Sequence, residues 1–171
     1  MTNDQGSGYG RNAIVPQEDT RLTHVGLATP MGELMRRYWH PVCLSSELTD
    51  LPKFLKILGE ELVAYRDKSG RVGVLGAHCC HRGTSLEYGR IEENGLRCCY
   101  HGWLYSEEGR CLDQPGEPED SNYKDEISQP WYPAEEYKGL VFAYMGPLDK
   151  KPLLPRYDIL EQDDAEYLAY R

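Results

Sequence analysis

Two short runs, Cys79-Cys80-His81 and Cys98-Cys99-Tyr100-His101, decide most of what this chain can become. As spacing they read C-x-H, sixteen intervening residues, then C-x-x-H. Each run supplies one thiol and one imidazole, so a fold that joins the runs creates a mixed sulfur and nitrogen donor set. Six Cys would allow three disulfides only in an exported protein. The first residues, MTNDQGSGYGRN, are polar and no apolar signal core follows. No stretch approaches the roughly 18 apolar residues of a membrane span. A cytoplasmic protein with no membrane partner is therefore expected, and its Cys/His pairs point to metal or redox chemistry. A Cys2His2 zinc site is the bland alternative, although zinc fingers usually pair Cys with Cys and His with His. Cys80 and Cys99 compete as ligands with their neighbours; Cys79 and Cys98 are preferred for their spacing to the histidines. Cys43 and Cys111 read as small buried hydrophobes.

The remaining chain reads as strands and turns. Residues 1 to about 20 look like a tail. Thr29-Pro30 offers an N-cap followed by proline at the first helical position, with a short helix through Tyr38 packing Leu34, Met35 and Tyr38 inward. His40–Leu44, Phe54–Leu58, Leu62–Arg66, Val72–Leu75, Gly89–Glu92 and Leu96–Cys98 are strand candidates, with turns at Gly59-Glu60 and Asn94-Gly95. Residues 113–130, rich in acids and proline, read as a surface loop. Trp131–Tyr137 and Leu140–Met145 read as two closing strands around Lys138-Gly139, and the chain after Pro147 looks like a linker. The net charge of −9 argues against a nucleic-acid partner, which calls for a basic face.

One thiolate and one imidazole on each of two hairpin-like loops can grip a two-iron cluster, with both sulfurs on one iron and both imidazoles on the other, as in Rieske centres. The residues around the ligands resemble the Rieske non-haem iron ring-hydroxylating oxygenases. Cys79-Cys80-His81-Arg82-Gly83-Thr84-Ser85-Leu86 is similar to that family's first ligand loop. Cys98-Cys99-Tyr100-His101-Gly102-Trp103-Leu104-Tyr105, followed by Gly109, is similar to the second. The likeness covers about residues 38 to 146 and is nearest the phthalate-dioxygenase-like oxygenase subunits. It implies a mainly β fold of small antiparallel sheets with a cluster-binding subdomain. It also implies a [2Fe-2S] cluster on Cys79, His81, Cys98 and His101.

The resemblance further implies a division into 1–37 (tail and short helix), 38–146 (cluster domain) and 147–171 (linker toward a catalytic domain). Full-length relatives carry a mononuclear Fe(II) on two His and one carboxylate. Here His24, His40 and His78 remain beyond the ligands, and none shows the helical spacing of that triad, so the chain is expected to be part of a longer oxidoreductase. Implied partners are a reductase or ferredoxin donor and further oxygenase subunits in a ring, with His101 facing a neighbouring subunit. A free-standing Rieske ferredoxin is the alternative. Respiratory Rieske proteins join their loops by a disulfide, where this chain has Thr84 and Tyr100. They also place a serine donor where Trp103 stands, so a midpoint toward the low end of about −150 to +300 mV is expected.

Overall fold

The computed structural model describes residues 17–118 and 120–161, so most of the expected N-terminal tail lies outside the described residues. Among these residues two short α-helices, α1 (Thr20–Thr23) and α2 (Pro30–Met35), precede eleven strands in three antiparallel sheets. The first sheet has the order β1 (Trp39–Leu44), β11 (Leu140–Tyr144), β10 (Ala134–Tyr137). The second runs β2 (Lys53–Ile57), β3 (Glu60–Arg66), β4 (Val72–Gly76), β9 (Trp131–Tyr132). The third runs β5 (Arg90–Glu92), β6 (Gly95–Arg97), β7 (Leu104–Tyr105), β8 (Cys111–Asp113). The mainly β, antiparallel reading holds.

The side-chain period of two explains how the sheets stack. Along β3, Leu62 and Ala64 face the first sheet and, with Val74 of β4, meet its Val141 and Ala143. Val63 and Tyr65 face the other way, toward Leu75, Cys79, Leu96, Cys98 and Tyr105. All four β3 residues are buried, so the second sheet is the filling between two cores. On the far side of the first sheet, Phe142 and Tyr144 pack with Trp39, Tyr137 and Leu154. Leu154 belongs to the segment read as a linker. Its part around Pro152 and Leu154 lies against the body, with Trp39 Nε1 donating to the Pro152 carbonyl at 2.9 Å.

Several local expectations need correcting. Thr29 does cap α2, accepting from Gly32 N–H at 3.1 Å, but the helix stops at Met35 and its inward face is not the apolar one. Leu34 and Tyr38 are exposed, whereas Arg36 and Trp39 are buried. Arg36, the residue after the helix, meets Glu60 at 2.7 Å and the Leu58 carbonyl at 3.2 Å, so the buried place beneath this short element goes to a partnered guanidinium. The β5–β6 hairpin turns at Glu93-Asn94, because Gly95 pairs with Glu92. The stretch Trp131–Tyr137 is divided by Pro133 between two sheets. Proline removes a ladder donor there, which lets the chain step from β9 to β10. The short strands β7 and β8 carried no alternating signal of their own.

Candidate metal centre

The first ligand run follows β4, and the second joins β6 to β7. The two loops close alike. Cys79 N–H donates to the Thr84 carbonyl at 2.9 Å and Gly83 N–H to the Cys79 carbonyl at 2.8 Å. Cys98 N–H donates to the Trp103 carbonyl at 2.8 Å and Gly102 N–H to the Cys98 carbonyl at 3.1 Å. Gly83 and Gly102 hold φ of 72° and 76°, a left-handed conformation cheap only for glycine. Each loop is thus a tight five-residue turn that presents its first side chain inward and its later ones outward.

The four expected ligands arrive as two pairs. Cys79 and Cys98 are buried in the same core, and Cys79 is among the groups that push the Cys98 thiol up. His101 is exposed and His81 half-buried, their ring centroids 4.6 Å apart. Among the described residues, no three His, Cys, Asp or Glu side chains converge as a site for a single ion. A mononuclear zinc site would draw all four donors to one point; two pairs at different depths suit a two-metal cluster. Cys80 and Cys99 are exposed. Cys43 and Cys111 are buried.

The electrostatics fit this donor set. Burial pushes the Cys98 thiol up, while the backbone N–H groups of Tyr100 and His101 directed at its sulfur oppose the shift. A metal bound there would displace that thiol proton. Desolvation, then His101 and Arg82, hold His81 below the ordinary histidine value, which favours the neutral ring a metal needs. His78 is not grouped with these ligands. Its Nε2 meets Glu61 at 3.0 Å and its Nδ1 meets the Gly83 carbonyl at 3.1 Å. The Glu61 contact, then the Gly83 carbonyl, raises its pKa. His40 is bound to the Met35 carbonyl at 2.8 Å, and His24 lies 3.4 Å from Glu18.

Aromatic rings surround the histidines. Trp103 is buried and stacks on His81 with centroids 4.2 Å apart and planes 5° off parallel. Tyr123 meets Trp103 edge-on at 6.2 Å. Tyr100 is exposed and lies against His101. Arg82 is exposed beside them.

Three residues that sequence reasoning overlooked hold the loops. Tyr105 is fully buried, with its hydroxyl 3.1 Å from Cys79 Sγ and 3.4 Å from Cys80 Sγ. Burial first, then the Cys79 and Cys80 sulfurs, push its pKa far up, so it stays a proton donor. Its place in β7, two residues after Trp103, puts both rings on one side of the strand, which is a readable signal. Arg97 donates to the Gly102 carbonyl, to Asp113 at 2.7 Å and to both Glu92 oxygens at 2.7 and 2.9 Å. Gln129, in the segment expected to be a surface loop, is completely buried against the first ligand run.

Comparison with known proteins shows the family. The model of the Rieske [2Fe-2S] domain matches residues 38–133. The phenoxybenzoate dioxygenase subunit alpha of Ectopseudomonas oleovorans is 54% identical over 165 residues, which is 96% of this chain and 40% of that protein. The phthalate 4,5-dioxygenase oxygenase subunit of Pseudomonas putida is 43% identical over 142 residues, 81% of this chain and 32% of that one. The reduced complex between oxygenase and ferredoxin in carbazole 1,9a-dioxygenase superposes with a TM-score of 0.63 at 34% identity, over 75% of this chain and 34% of that one. The chain thus spans between about a third and two fifths of these relatives.

Proposed function

Since this chain belongs to the Rieske [2Fe-2S] domain family, we propose that it is the electron-accepting part of an aromatic-ring oxygenase subunit. The observation that carries this is the pairing of donors by depth. Cys79 and Cys98 would hold the inner iron, and His81 and His101 the outer one. The bound cluster would supply one-electron storage within the Rieske range of about −150 to +300 mV. The chain's own residues do the rest. The core around Tyr105, Leu96 and Leu86 keeps water from the sulfur end, whereas the exposed His101 edge is the place for an electron to leave. Trp103 fixes the plane of His81 by stacking.

The proposed division is 38–146 as the cluster domain, with 147–171 leading toward a catalytic domain. There a mononuclear Fe(II) would use O2 to hydroxylate or demethylate an aromatic compound. A reductase or a ferredoxin would supply electrons. In a ring of subunits, His101, the more exposed ligand, would face the acceptor in a neighbour. No helix among the described residues is long and apolar enough to cross a membrane; a cytoplasmic setting is part of the same proposal. The relatives are oxygenase subunits and do not favour a free-standing ferredoxin.

The test is direct. Purified chain, assayed for iron, zinc and acid-labile sulfide, should contain two irons per chain and give a rhombic resonance signal after reduction. Its reduced form should be reoxidised by the full-length oxygenase's catalytic iron. A colourless, zinc-loaded protein would end the reading.

A further inference from the structure

Gln129 lies outside both ligand runs, at the end of the acidic segment between β8 and β9. Its side-chain amide is spent on the first ligand loop. Nε2 donates to the Gly76 carbonyl at 2.8 Å and to the His78 carbonyl at 2.9 Å, and Oε1 accepts from Cys80 N–H at 2.8 Å. A primary amide has two N–H donors, and both are used. Turned over, it would set its oxygen against two carbonyls and its nitrogen against an N–H, so the loop admits one orientation. The bonded groups bracket Cys79, with the His78 carbonyl before it and Cys80 N–H after it. A shift of the loop in either direction along the chain breaks at least one bond.

The same residue is tied to the other ligand run. Gln129 N–H donates to the Gly109 carbonyl at 2.8 Å, and Arg110 forms a β-bridge with Ser128. Gly109 sits in the turn from β7 to β8, and β7 leads straight out of the second run. Contact is so close that a Cβ at Gly109 would lie 2.1 Å from the Gln129 carbonyl oxygen. A continuous path of hydrogen bonds therefore runs from the Cys79 loop through Gln129 to the strands carrying the Cys98 loop.

We propose that Gln129 is a positioning residue that sets where Cys79 stands relative to Cys98, and through it how firmly and in what geometry the cluster is held. This rests on Cys79 and Cys98 being the cluster's thiolate ligands. Groups that orient metal ligands from behind typically change metal affinity on the order of tenfold to a hundredfold when replaced.

The experiment compares Gln129→Met and Gln129→Glu with the unmodified chain, each carrying its cluster. Methionine keeps length, volume and neutrality but makes none of the three bonds. Glutamate keeps the acceptor for Cys80 and loses both donors. Both variants should bleach about tenfold to a hundredfold faster under an iron chelator, and both should show shifted resonance g-values after reduction. Leu62→Ala, in the core between the first and second sheets, serves as the stability control. It should melt earlier while keeping the g-values and bleaching rate. Should Gln129→Met not fold, Gln129→Glu decides alone. Unchanged g-values and bleaching in the Gln129 variants would overturn the inference, as would equal changes in Leu62→Ala. An unmodified chain that holds no two-iron cluster would instead overturn the ligand assignment beneath it.

Discussion

Replacing Tyr105 by phenylalanine should lower the midpoint potential by tens of millivolts and leave the cluster in place. The ring is fully buried and phenylalanine fills the same space, so the substitution removes only a hydroxyl. That hydroxyl has one hydrogen to give, and Cys79 Sγ at 3.1 Å is a better acceptor than Cys80 Sγ at 3.4 Å. A reduced cluster carries one more negative charge, so a donor to its thiolate stabilises the reduced form more than the oxidised one. A hydrogen bond to a charged group contributes about 1.5–3 kcal/mol. Taking about half of this as the difference between redox states gives roughly 0.8–1.5 kcal/mol. At about 59 mV and about 1.36 kcal/mol per tenfold for one electron, this corresponds to a fall of about 35–65 mV. The assay is a mediated redox titration followed in the visible, with the resonance signal confirming intact cluster in both proteins. A midpoint that is unchanged, or that rises, would refute the reasoning. The unmodified midpoint should itself lie in the lower part of the Rieske range of about −150 to +300 mV. Tyr105 restores one donor; the indole of Trp103 is stacked on His81.

Serine in place of Cys79 or Cys98 should abolish the visible absorption, whereas Cys80→Ser and Cys99→Ser should keep it; the opposite pattern in absorption and iron content would reassign the ligands. Arg97, then Arg90, hold the Glu92 carboxyl down at about 2 against an ordinary 4.5. Its folded value is depressed, so its contribution is complete above pH 4.5 and is lost as pH falls toward 2. Glu92→Gln should therefore flatten the fall in urea midpoint across that acid window, and equal slopes in variant and parent would count against the Arg97 bracket. Gly109→Ala has to place a Cβ 2.1 Å from the Gln129 oxygen at φ 70°. It should cost roughly 2–4 kcal/mol, read as an earlier thermal melt; an unshifted melt would show that the loop relaxes freely.

The sequence by itself determined the chemistry. A cysteine and a histidine two or three positions apart can face one site whatever the rest of the chain does, so each run brings a thiol and an imidazole together locally. Short continuous apolar runs similarly marked β3, β4 and β11, strands that are buried on both faces. The tertiary structure alone decided which member of each vicinal pair turns inward. Cys79 and Cys80 are chemically identical, and only the hydrogen-bonded path of the loop buries one and exposes the other. It also decided the supports. Gln129 reaches back 49 to 53 positions to its partners, in a stretch whose acids and prolines announce a surface loop, and nothing nearby in sequence marks it. Arg36, just past α2, is likewise buried against Glu60, 24 positions away, while Leu34 stays exposed. A buried polar group goes where its partner is, and partners distant along the chain meet only once the sheets have stacked.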